Sequence, residues 1–170
     1  MFGKNISVRA GALREGTFHR DFVKVANPPE CAFNCDMIQE TLTRLARESM
    51  GVYLQAAANE TAIRRMQEAA RQDLGEAVPE EYAEFLRFSN GVQINNSYFK
   101  TAEHLVLENL DVPRPEIIVL GNDGNVAEFV FDRRDRKFHT IHMGFPDDRY
   151  ASFGTFAEML TTVLREQQVL

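Results

Sequence analysis

Apolar residues follow two different rhythms along this chain. Ile38, Leu42 and Leu45, with Ala46 beside them, lie three and four apart and predict a helix over residues 36–50. Asp36 is its N-cap candidate, and Gln39 three residues on gives an approximate capping box. Ile63, Met66, Ala70 and Leu74 repeat the spacing over 59–74, where Gly75 supplies a natural stop. A third, short helix is written over 79–91. Pro79 suits the first helical position, Glu80 and Glu81 suit the positive end of the dipole, and Tyr82, Phe85, Leu86 and Ser89 share one face. Asn90-Gly91 closes it, because both residues tolerate the left-handed conformation of a C-terminal cap.

From there the rhythm becomes that of strands. Val92-Gln93-Ile94 and Tyr98-Phe99-Lys100 flank Asn95-Asn96 as a tight hairpin. Residues 101–109 form a short helix or an irregular crossing, and Pro113 and Pro115 break the chain. Ile117-Ile118-Val119-Leu120 is an uninterrupted apolar run, as expected of a strand buried on both faces. The turn over 121–125, the strand 126–132, the charged turn 133–137 and the strand 138–143 complete a three-stranded meander. Residues 144–149 read as a loop. The chain closes on a helix from Phe156 to about Gln167, capped by Thr155 with Glu158 completing a capping box. Helices, then strands, then a helix predict an α+β fold with a mostly antiparallel sheet covered on one side. Residues 1–35 show no sustained period; only 17–26, with Phe18, Phe22, Val23 and Val25, alternate weakly as a strand would. They read as an N-terminal extension before a single domain over 36–170.

Composition narrows the class. A chain of 170 residues, 44% hydrophobic and 26% charged, can bury one sizeable core. Its N-terminus lacks the apolar centre of a secretory signal and no apolar run approaches bilayer length, so the expected compartment is the cytoplasm. Residues 1–35 hold five Lys/Arg against three Asp/Glu, and 36–170 hold 14 against 22, a net +2 and −8. An acidic body repels phosphate backbones and favours a basic partner, although the same charge also serves solubility.

Candidate chemistry is sparse. Cys31 and Cys35 are the only cysteines; reduced thiols fit a cytoplasmic chain, and a disulfide is the other option. His139 and His142 are an odd number apart on a strand, so they point to opposite faces and cannot converge on a metal. Gly121-Asn122-Asp123-Gly124 leads into a strand rather than a helix N-terminus, which makes it a turn and not a phosphate loop. No nucleophile motif stands out, so no catalytic residue, cofactor or metal is assigned and the chain reads as a non-enzyme. Asp123, Glu128, Asp132, Asp147 and Asp148 gather in the β-rich block, with Glu128 opposite Phe129 and Phe131. This is either an ordinary polar sheet face or one side of a protein-binding surface, for which Tyr98, Phe145 and Tyr150 are the aromatic anchors.

The pattern Pro79-Glu80-x-Tyr82-x-x-Phe85-Leu86-x-x-Ser89-Asn90-Gly91 resembles the signature of the SUKH superfamily, the SMI/KNR-type proteins. The segments 118–132 and 150–164 are similar to that family's glycine turn between strands and its C-terminal helix, so the resemblance covers about residues 60–165. Asn125 stands where a further glycine is common, and residues 1–35 lie outside the match. The resemblance implies an α+β binding module without catalytic residues. Many bacterial members are immunity proteins that neutralise a polymorphic toxin, so the expected partner is a toxin domain, such as a basic nuclease. The alternative is a regulatory interaction protein of the SMI/KNR type with no cognate toxin.

Overall fold

The computed structural model describes residues 35–48 and 51–170. The expectations for the N-terminal extension, including the weak strand over 17–26 and Cys31, lie outside those residues. Helix α1 (Cys35–Arg47) is followed by β1 (Val52–Leu54), α2 (Glu60–Ala69), α3 (Glu80–Phe88), β2 (Val92–Ile94), β3 (Ser97–Phe99) and α4 (Leu105–Asp111). Then come β4 (Ile117–Asn122), β5 (Ala127–Asp132), β6 (Lys137–His142), β7 (Phe145–Phe153) and α5 (Phe156–Glu166). The strands form one antiparallel sheet in sequence order, β1 to β7. The α+β class is therefore correct, but the sheet has two strands that the pattern missed. β1 carries only Val-Tyr-Leu, too short to show a period, and β7 occupies the segment read as a loop.

Helix ends follow local chemistry. Asn59 caps α2 by accepting from the Ala62 N–H at 2.9 Å. α2 runs on into a π-helical turn, Ala70–Leu74, and Gly75 ends it at φ +82°. Thr155 and Glu158 form the predicted capping box of α5. Three expected caps differ. α1 already includes Asp36, so that residue lies within the helix instead of before it. Pro79 precedes α3 with an extended ψ of 136°, one position outside the helix. α3 ends on Ser89 in extended conformation, and the left-handed residue is Gly91, at φ +94°. The reason is tertiary: the buried Ser89 hydroxyl accepts from Gln55 N–H at 3.1 Å and lies 2.6 Å from the Gly91 carbonyl. The chain is thus tied to the segment after β1 before it turns into β2.

The main core lies between the helices and one sheet face. Ile38 and Leu42 of α1, Ile63 and Met66 of α2, Leu105 of α4 and Met159 and Leu160 of α5 pack with Ile118, Leu120, Phe129 and Phe131. Tyr82, 0% exposed, sends its hydroxyl to the carbonyls of Lys100 (2.6 Å) and Leu120 (3.1 Å), where β3 parts from β4. Burial, then the Glu108 charge, raise the Tyr82 pKa well above its usual value despite the Lys100 hydrogen bond, so the group stays a donor. Gly121 sits where β4 bulges; a Cβ there would meet the Tyr98 carbonyl oxygen at 2.1 Å.

The second face also carries a buried apolar cluster, Ile117, Val119, Val130 and Ile141, as the uninterrupted run 117–120 predicts for a strand buried on both faces. One row on this face crosses every strand: Tyr53, Gln93, Tyr98, Asn122, Glu128, Ile141 and Arg149. It is exposed at Tyr53 and Gln93 and closes at Glu128 and Ile141.

Gly91→Val tests the turn from α3 to β2. The residue has positive φ, and a Cβ would sit 2.8 Å from the Phe99 carbonyl oxygen. We expect a loss of about 2 kcal/mol or more in urea-monitored stability, the left-handed penalty plus the clash. An unchanged unfolding midpoint would contradict the assignment.

Candidate functional site

β7 is one of the two edge strands, and it is irregular. Ile141 pairs with Arg149 and the next residue, His142, pairs with Phe145, so Pro146, Asp147 and Asp148 are extruded. A further shift lies between Thr140↔Ala151 and Ile141↔Arg149 and leaves Tyr150 unpaired in the ladder. Proline, acidic side chains and bulges all blunt an edge against strand addition, and bulges re-aim side chains. Here the re-aimed groups are aromatic. Phe145 is 62% exposed and Tyr150 40% exposed, and both flank the His142 ring at centroid distances of 5.2 and 6.2 Å. Met143 and Val126, joined by a 2.7 Å backbone hydrogen bond, extend this patch with 41% and 44% exposure. Burial, then the charges of Asp148 and Asp123, raise the Tyr150 pKa, so an acidic rim lies beside the aromatic group.

Behind the edge runs a chain of ion pairs and hydrogen bonds: Asp147–Arg134–Asp132–Arg149–Asp135–His139–Ser152. Asp132 is 1% exposed and accepts from the Arg134 N–H (2.8 Å), Arg134 Nη2 (2.7 Å) and Arg149 Nη2 (2.6 Å). Arg149 Nη1 continues to Asp135 at 2.7 Å, and Arg134 Nη1 reaches Asp147 at 2.9 Å. His139, buried, joins Asp135 through Nε2 (3.1 Å) and Ser152 Oγ through Nδ1 (2.8 Å). These contacts are not equal. The Asp147 side chain is 85% exposed, and such a pair is worth about 0–1 kcal/mol. Stripping a partner from a buried carboxylate such as Asp132 costs about 3–5 kcal/mol. The lattice is therefore anchored at Asp132, and it ties β7 to β5 and β6.

The eight predicted contact residues fall in four places. Phe145, Asp147, Asp148 and Tyr150 come together on β7, exposed. Tyr98, 38% exposed, accepts from Asn122 Nδ2 on β3, four strands away, or roughly 19 Å at about 4.8 Å per strand. Asp123 shapes the β4–β5 turn by accepting from the N–H groups of Asn125 and Ala127. Glu128 and Asp132 correct the expectation of an open acidic face. Glu128 is 8% exposed and bound by both Nη atoms of Arg114, the Nη2 contact at 2.8 Å. Residue spacing had shown their face correctly, but not the arginines brought over it from 14 and 17 positions away.

Asp132, Asp135 and His139 place donor atoms within 4.8 Å of one another, a spacing suited to a cation. Both carboxylates are already engaged by Arg134 and Arg149, so the two negative charges are offset in place. Ser152, His139 and Asp135 also lie in line. His139 and Ser152 are a direct cross-strand pair, and Asp135 is shared with Arg149, so the line acts as a clamp between strands. His139 and His142 engage different partners and do not converge.

Fold and site together define an α+β protein with a seven-stranded antiparallel sheet and an aromatic, bulged edge. No family model and no curated protein sequence matches the chain. No helix among the described residues is long and apolar enough to cross a membrane.

The lattice has a pH signature. Burial alone would raise the Asp135 carboxyl, but the His139 and Arg149 contacts outweigh it and lower its pKa from 3.8 to about 2. Asp132 is lowered in the same way: burial is opposed successfully by Arg134 and then Arg149. A depressed carboxylate stabilises the fold above its unfolded pKa, and that contribution is lost as pH falls through the folded value. Stability should therefore decline between about pH 4 and pH 2, and Asp135→Asn should flatten that slope in urea titrations. Equal slopes would contradict the role given to Asp135.

Proposed function

We propose that this chain is a protein-binding module whose docking surface is the bulged β7 edge. The observation that carries the reading is Phe145 and Tyr150, exposed side by side on a strand pinned by the buried Asp132 lattice. Large aromatic groups held rigid in water are the anchors that dominate interface energetics, because covering them gains apolar area at small entropic cost. Asp148 and Asp123 supply an acidic rim, while Asp147 beside them is offset by Arg134. With the overall net charge of −6, that rim steers a basic partner and raises its association rate.

The resemblance of residues 79–91 and 118–132 to the SUKH superfamily gives the partner a class. On that basis we read the protein as an immunity protein that binds and neutralises a bacterial toxin, with a basic nuclease domain fitting the acidic rim. The arginine-neutralised Glu128 and Asp132 act in this reading as supports for the surface, and the contacts themselves fall to β7.

The immunity reading predicts a toxin gene beside this one, and the test uses the toxin domain it encodes. Isothermal titration should give a tight complex and toxin activity should be lost at molar excess. Phe145→Ala with Tyr150→Ala should weaken binding by about 2 kcal/mol or more, roughly thirtyfold, at unchanged melting temperature. A toxin left active at excess would defeat the immunity reading, and full affinity in the double variant would defeat the surface.

A further inference from the structure

The helical layer carries a second surface that the β7 reading does not use. α2, its π-helical turn and α4 border an open groove of about 920 Å³. Its floor is apolar, formed by Ala62, Met66, Ala69, Ala102 and Val106. Leu107 stands in the wall at 62% exposure, and Leu110 and Val112, further along the chain and outside the lining, are 39% and 63% exposed. Such a run of exposed apolar side chains beside a groove is where a partner would gain most by covering area. The floor from 59 to 73 is roughly 21 Å long at about 1.5 Å per residue, room for a helix of about 14 residues.

Two further features bear on the occupant. The charged lining residues are Glu60, Asp73 and Glu103 against Arg65, three acids to one base. Glu60 is already paired with Arg87 at 2.9 Å, which leaves Asp73 and Glu103 against Arg65 in the lining, an acidic balance of one charge. The hydrogen bond from Asn90, 2.8 Å long, holds the Glu103 carboxyl below its usual pKa against the effect of burial. The second feature is the π-helical turn, Ala70–Leu74, which carries Asp73 at the end of the floor. Such turns are rare and concentrate at functional sites.

We propose that this groove docks a basic amphipathic helix of a partner protein, its apolar face on Met66, Val106 and Leu107 and its Lys or Arg side chains against Asp73 and Glu103. The mode is helix-in-groove recognition, with anchors at helical spacing and charge setting the choice of helix. It does not depend on what binds β7.

The probe is a fluorescein-labelled 14-residue peptide of Lys and Leu in amphipathic helical order, titrated with the full chain and followed by anisotropy. A Glu/Leu peptide of the same order is the control. We expect saturable binding of the Lys/Leu peptide, weakened about tenfold by Leu107→Asn and a few-fold by Asp73→Asn, and unaffected by Phe145→Ala. Leu107 and Asp73 are exposed, so their variants should keep the parent melting temperature. The proposal is overturned if the Glu/Leu peptide binds as tightly, if Leu107→Asn binds like the parent, or if Phe145→Ala weakens binding as much. Self-association abolished by Leu107→Asn would also overturn it, in favour of a second copy of the chain as occupant.

Discussion

One aromatic ring, Phe156, joins the parts of this fold that are distant in sequence. Its ring lies 5.0 Å from Tyr82, 5.2 Å from Phe85, 5.4 Å from Phe99 and 5.8 Å from Phe138, centroid to centroid. α3, the β2–β3 hairpin, β6 and α5 therefore meet at a single side chain. The backbone is tied in as well, since the Phe156 N–H donates to Glu81 Oε2 at 2.7 Å. An acid in the first turn of α3 thereby satisfies an orphan donor in the first turn of α5. The two helix starts share one carboxylate, and both dipoles favour it there. Around this junction, the Tyr82 hydroxyl reaches the Lys100 and Leu120 carbonyls at the end of the β3–β4 pairing. α3 is thus the hub of the fold, and its Glu81 is structural.

With that face committed to packing, the groups left facing water lie on the sheet edge and the helical surface. The second sheet face shows how. Val130 lies between Glu128 and Asp132 on one face of β5, and each acid is buried against arginine. Burying a carboxylate is tolerated only with its partners in place, so the face behaves as a rigid support rather than an open charged surface. The strand it supports is the one strand whose register is broken repeatedly. Breaks in a ladder weaken a strand, and the lattice from Asp147 to Ser152 offsets that weakness while leaving Phe145 and Tyr150 outward.

How much of this could be read from sequence depends on the range of the interaction. The apolar stripes of α1, α2, α3 and α5, the Asn95-Asn96 hairpin and the Thr155–Glu158 box are local, and all were legible. β1 was not, because three residues carry no period and its edge position is set by pairing with β2. β7 was not, because Gly144, Pro146 and two aspartates are loop chemistry; the strand exists because Phe145, Arg149 and residues 151–153 pair with β6 around them. The exposed aromatic residues were visible as residue types, and Phe145 and Tyr150 do lie together around His142. Glu128 and Asp132 misled because parity fixes a face, while burial depends on Arg114, Arg134 and Arg149 converging in space.

The central claim is that Asp132 and Arg149 hold the bulged β7 edge in a rigid display. Native-state hydrogen exchange on the free protein, comparing the parent chain with Arg149→Gln, tests it directly. The account predicts that amides of residues 149–153 exchange at least about tenfold faster in the variant while those of α3 and α5 keep their rates. Unchanged exchange in β7, or equal acceleration throughout the core, would contradict it.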